Sequence, residues 1–181
     1  MPVISDNIKR YILPVILLGT VVILLLKPTT DSLTQVAGKI KNKLNDVEVV
    51  FAEAAKNKEL RAALATGRED SPMVEQTEAK GIELYYYQND SLVHWTSNNV
   101  LPPANISGVP KGTSVIKLRN GWYQMMRWED TISHEDLVGL LAIKYQYPFE
   151  NKFLKNEFAL GLGIPHNIEI TEQKIQGLHC G

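Results

Sequence analysis

The sequence predicts an α+β domain behind an N-terminal transmembrane helix, and three observations predict it. Residues 11–26, "YILPVILLGTVVILLL", carry no charge. Apolar residues then recur at spacings of three and four from Leu33 to Ala54, the period of a helix with one apolar face. From Gly81 onward the period shortens to two, the alternation of strands. The expected organisation is a short tail over residues 1–10, a span over 11–27, an amphipathic helix over 28–67 and an α+β domain over 68–181.

The uncharged run is sixteen residues long, which at about 1.5 Å per residue reaches roughly 24 Å, a little short of a hydrocarbon core of about 30 Å. Tyr11 at the headgroup level and snorkelling Lys9, Arg10 and Lys27 close much of that gap. A cleaved signal peptide is the rival reading. The sequence "KPTTDSLTQVAG" that follows has no small-x-small cleavage site at a suitable distance, so a retained anchor is expected. The flanking charges do not orient it: Lys9 and Arg10 precede the run, whereas Lys27, Lys39, Lys41 and Lys43 follow it.

After Lys27-Pro28, Asp31 or Ser32 is placed to cap a new helix. Its stripe is Leu33, Val36, Ile40, Leu44, Val47, Phe51 and Ala54, and the helix is expected to run to Leu64 with Gly67 ending it. Such a stripe either packs on the domain that follows or forms the seam of a dimeric stalk, and about three heptads do not separate the two. Two hairpins are expected next. "IELYYYQ" and "LVHWTS" flank a turn at Asn89-Asp90, and "SVIKL" and "WYQMMRW" flank Asn120-Gly121, the stronger type I′ signal of the two. The Pro-containing segment "NVLPPANISGVPKG" between them reads as a loop. "LVGLLAIKYQY" reads as a long apolar strand, "FENKFLKNEF" as a short helix and "NIEIT" as a last strand, after which the chain looks truncated. An antiparallel sheet of about five strands with helices to one side is PAS-like or Cache-like in outline.

Composition excludes some functions. Net charge is −1, so there is no electrostatic footprint for nucleic acid. The single cysteine, Cys180, rules out an internal disulfide or a cysteine-rich zinc site, and the four histidines show no metal-ligand spacing. No cofactor and no metal are expected. One stretch invites a catalytic reading: "TISHEDL", residues 131–137, spells the opening of a histidine-kinase phosphoacceptor box. That chemistry needs an exposed histidine on a dimerising helix, whereas His134 lies in an acidic connection between two strands. No glycine-rich nucleotide loop is present, "GLG" at 161–163 being too little to cradle phosphates. No catalytic residue is therefore assigned. A hydrolase using carboxylates has no pair identifiable by spacing.

The order of features then takes on a family likeness. One span, a long amphipathic helix, "LYYYQNDSLVHWTSNNVLP", "LRNGWYQMMRWE" and "GLLAIKYQYPFENKFLKNEFALGLGIP" resemble the extracytoplasmic sensor regions of Bacteroidetes-type membrane histidine kinases. The resemblance implies a homodimer in the inner (cytoplasmic) membrane, with Lys9-Arg10 inside and the sensor domain periplasmic. It further implies a small-molecule or protein signal, and a parent protein with a cytoplasmic kinase whose partner is a response regulator. A ligand site is expected among Trp95, Trp122, Tyr123, Arg127, Lys144, Tyr145 and Tyr147, aromatic and cationic groups on strands that could be neighbours. The alternative places the aromatics in the core and the cations at strand rims. The rival function is a membrane-anchored structural or interaction module of the envelope that needs no ligand.

Overall fold

The computed structural model describes residues 33–159, 161–165 and 168–171. The chain divides into two units, Met1–Gln35 and Val36–Gly181, and the fold below is that of the second. Helices α1 (Leu33–Lys56), α2 (Lys58–Ala65) and α3 (Pro72–Ala79) precede strands β1 (Ile82–Gln88), β2 (Ser91–Trp95), β3 (Gly112–Leu118), β4 (Gly121–Asp130) and β5 (Glu135–Tyr145). The strands form one antiparallel sheet in the order β2-β1-β5-β4-β3. The α+β class and the five-stranded antiparallel sheet are thus as the sequence predicts. Among the described residues no helix is long and apolar enough to cross a membrane. The run at 11–26, with the tail and span assigned around it, lies outside those residues.

The sheet is covered on both faces, which explains why β1 and β5 are apolar almost throughout instead of alternating. Tyr86, Trp122, Met126, Leu137 and Leu141 point to the helices, where Val47, Phe51 and Ala54 of α1, Leu60 and Leu64 of α2 and Val74 of α3 meet them. Tyr85, Tyr87, Tyr123, Met125, Val138 and Leu140 point the other way, against Val100, Ile106 and Val109 of the β2–β3 connection. Gly139 sets how closely α1 approaches β5: a Cβ there would stand 2.6 Å from Phe51 Cδ2. Gly121 is needed for the same reason, since its Cβ would lie 2.3 Å from the carbonyl oxygen of Lys144.

The helical stripe is a core-facing surface over its C-terminal half. Val47, Phe51 and Ala54 are buried, Ile40 and Leu44 are partly buried against them, Val36 is buried, and Leu33 is 72% exposed. The helix does not run unbroken to Leu64. Asn57 leaves the helical region at φ −76°, ψ 110°, and its side chain accepts the Leu60 amide at 2.9 Å, capping a separate α2. Gly67 ends α2 at φ +70°, with Gly67 and Arg68 amides donating to Leu64 and Ala63 carbonyls, the Schellman arrangement. The sequence reading passes over α3, although Ser71 caps it by accepting the Met73 amide and Pro72 supplies the first turn.

Turn chemistry corrects a second expectation. Asn89 and Asp90 have φ of +50° and +64°, the type I′ form. The β3–β4 loop is Arg119-Asn120, since Leu118 pairs directly with Gly121. Neither loop residue has positive φ, so this turn is not type I′. The segment "FENKFLKNEF" is not helical either. Asn151 Oδ1 accepts the Phe153 and Leu154 amides, and Asn156 bonds to Tyr147, local bonds that compete with a helix. Phe149 and Phe153 stay exposed, while Phe158 packs on the core and bridges to Lys144. Residues 168–171 of the expected last strand form no strand, and the β2–β3 loop contains one 3₁₀ turn, Ile106–Gly108.

Candidate functional site

The long β2–β3 connection forms a roof over the sheet face opposite the helices. Beneath it lies a cavity of about 240 Å³. Met125, Val138 and Leu140 make its floor, with Tyr85 and Tyr87 alongside. Ile116 and Leu118 form one wall, and Val100 to Pro103 with Gly108 to Pro110 form the roof.

Hydrogen bonds hold the roof at several heights. Tyr87 Oη donates to the Pro103 carbonyl at 3.0 Å. Tyr85 Oη donates to Glu83 Oε2 at 2.8 Å and lies 3.4 Å from the Val100 carbonyl. Asn99 donates to the other oxygen of Glu83 at 2.8 Å. The Leu92 amide donates to Ala104, and the Ile106 amide donates to Asp90. At the far end Arg127 Nη1 donates to the carbonyls of Val109 at 2.7 Å and Ile106 at 3.3 Å. Its Nε donates to Asp136 Oδ1 at 2.9 Å, and the two side chains are only 9% and 10% exposed. Arg127 therefore fastens the roof to β4 and β5 through a buried ion pair.

Burial raises the tyrosine pKa values around this site. Tyr87 is pushed up to about 12, the Arg127 charge offsetting part of the effect, and Tyr85 and Tyr123 are raised further, by burial first and then by neighbouring groups that include Glu83. All three stay neutral through physiological pH, and Tyr85 and Tyr87 remain donors.

The seven residues expected to share a pocket occupy separate places. Trp95 sits on edge strand β2, 43% exposed, its Nε1 donating to Asn98. Trp122 and Lys144 are register partners in β4 and β5. Together with Gln146 and Asn156 they line a small polar hollow of about 190 Å³. Trp122 Nε1 has no hydrogen-bond partner there, while Lys144 Nζ donates to the Ile168 carbonyl and lies 5.2 Å from the Phe158 ring centroid. Tyr123 and Tyr145 belong to the cluster around the cavity, and Tyr145 stacks on Tyr147 at 5.9 Å. Arg127 alone of the seven bonds the roof over the cavity. The pleat is the reason: consecutive residues such as Trp122 and Tyr123 point to opposite faces. The cavity residues themselves had two signals in the sequence, the run Tyr85-Tyr86-Tyr87 and a Pro-rich loop too long for a simple connection.

His134 occupies the β4–β5 turn at φ +54°, its carbonyl accepting the Asn89 amide, with Asp130 Oδ1 accepting the amides of Ile132 and Ser133. It is a turn residue on no helix, as the sequence predicts. Among the described residues no group of His, Cys, Asp and Glu is placed to hold a metal. No family model, no curated protein and no solved structure matches this chain.

Proposed function

We propose that this chain is the extracytoplasmic signal-sensing region of a membrane sensor histidine kinase, with a PAS/Cache-like domain whose ligand site is the cavity beneath the β2–β3 connection. The observation that carries the reading is that roofed cavity. A five-stranded sheet gives one face to a long N-terminal helix and the other to a cavity closed by a tied-down loop. Concave, mostly apolar sites of this kind are where small molecules bind. Strand β5 joins the two faces: Val138 and Leu140 floor the cavity, while Gly139 between them touches Phe51 of α1. A ligand that shifts β5 would therefore be felt by the helix leading towards residues 11–26, provided it binds one arrangement better than another.

The uncharged run at 11–26 supports a membrane anchor and an inner-membrane location with the domain outside. Pairing of two copies belongs to the N-terminal part of α1, where Leu33 is exposed, because Val47, Phe51 and Ala54 are committed to the core. Sedimentation of the full chain checks this, and a monomer at high concentration in a membrane mimic contradicts it. The parent's catalytic chemistry and its response regulator lie outside these residues. Sequencing the gene beyond the Gly181 codon tests the whole reading. A second span followed by a helical phosphoacceptor box is expected. A stop codon shortly after Gly181 would favour the envelope structural module instead.

A further inference from the structure

We propose that the cavity takes a small, uncharged, apolar molecule, about the size of one aromatic ring with a short substituent, and rejects anions and cations. The inference rests on the sensor reading above and goes beyond it in naming the ligand's chemistry. Size comes first. Apolar cavities of about 150 Å³ hold benzene, and this one measures about 240 Å³. That is also below the range of drug-sized sites, about 300 Å³ upward.

Lining chemistry comes second. The floor of Met125, Val138 and Leu140 and the wall of Ile116 and Leu118 present only carbon and sulfur, and no residue lining the cavity carries a charge. The two tyrosine hydroxyls of residues that line the cavity are already committed. Tyr87 Oη donates to Pro103 and Tyr85 Oη to Glu83. Each phenol has one proton to give. The nearest guanidinium, Arg127, spends Nε on Asp136 and Nη1 on two roof carbonyls. Its Nη2 lies 3.7 Å from Glu129. A carboxylate or ammonium entering the cavity would lose its water and meet no opposite charge among the lining residues, the costliest kind of burial. Recognition is left to shape and to transfer of apolar surface from water.

Met125 is the reporter for the test, since it lines the cavity whereas Met73 and Met126 belong to the cluster on the helix side. The full chain, labelled with carbon-13 at the methionine methyls and reconstituted in phospholipid nanodiscs, is titrated with toluene, benzoate and benzylamine. Toluene is expected to move the Met125 methyl saturably and leave Met73 and Met126 in place. The two charged analogues are expected to bind roughly 100-fold more weakly or worse, because each would bury an unpaired charge. Ile116→Trp, at the half-buried wall of the mouth, should abolish the toluene shift with the other methyls unchanged; a shift that survives it would overturn the location. If benzoate or benzylamine moves Met125 at least as tightly as toluene, the ligand class is wrong while the cavity remains a sensor site. If none of the three moves it, the cavity takes no small molecule of this size, and the sensor reading loses its main support as well.

Discussion

Replacing Arg127 by leucine removes the fastening between roof and sheet and leaves two groups without their donor. Asp136, 10% exposed, loses its ion-pair partner and the Val109 carbonyl loses its donor, whereas the Ile106 carbonyl keeps the Val109 amide at 2.9 Å. Removing one member of a buried ion pair costs about 3–5 kcal/mol, because the charge left behind is uncompensated. Asp136 also pairs in register with Glu129, so the remaining carboxylate faces a like charge. The Val109 carbonyl, in a residue only 8% exposed, adds about 1 kcal/mol. The expected loss is about 4 kcal/mol, a large share of the 5–15 kcal/mol typical of a domain. For a unit of this size that lowers Tm by about 10–15 °C. Urea and thermal unfolding of the full chain, followed by circular dichroism, measure it. Amide exchange at Ile106 and Val109 should quicken in the same variant before global unfolding, since the roof opens first. Arg127→Leu with Asp136→Leu should recover most of the loss, because two apolar groups leave no charge behind. A single variant costing under about 1 kcal/mol with unchanged exchange, or a double variant no better than the single, would refute the clamp.

Other outcomes follow from the same contacts. Gly139→Val drives a side chain into Phe51, whose Cδ2 would be 2.6 Å from the new Cβ. It should cost about 1–3 kcal/mol in urea unfolding, partly restored by Phe51→Leu. Stability should be flat in mildly alkaline solution and fall between about pH 10 and 12. The unfolded chain releases the protons of Tyr86 and Tyr87 near pH 10, whereas burial holds both in the folded protein to about 12. Each phenol contributes on the order of 2–3 kcal/mol to that fall, so Tyr86→Phe and Tyr87→Phe should each reduce it, while Tyr85 and Tyr123, raised further, maintain the remainder. Incubation with labelled ATP should give no phosphohistidine, and labelling lost in His134→Ala would overturn the assignment of that residue to a turn.

The sequence made the sheet legible because its strands are apolar runs bounded by turn residues, and because Asn89-Asp90 is a turn signal with a mechanism. It hid the break at Asn57, where a half-buried polar residue that interrupts the helix doubles as an N-cap for the next one. It also hid α3, whose eight residues bury only Val74 and Thr77 and so leave almost no periodic trace. The aromatic-rich "FENKFLKNEF" imitates a helix in spacing, but its asparagines bond their own backbone instead. The site was the least legible part. Residue types on neighbouring strands suggested one pocket, yet the pleat and the bulge between Trp122 and Tyr123 split them between two faces. The cavity itself is made by apolar residues that look like ordinary core until the roof is seen to leave space above them.

Roof residue Leu101, 95% exposed, offers the most direct test of the central claim, that this domain faces the outside of the cell. Leu101→Cys in a Cys180→Ser background places one thiol at the mouth of the cavity, and a membrane-impermeant maleimide is then added to sealed spheroplasts. Labelling of intact spheroplasts to the same extent as lysed ones is the predicted result; labelling that appears only after lysis would contradict the account.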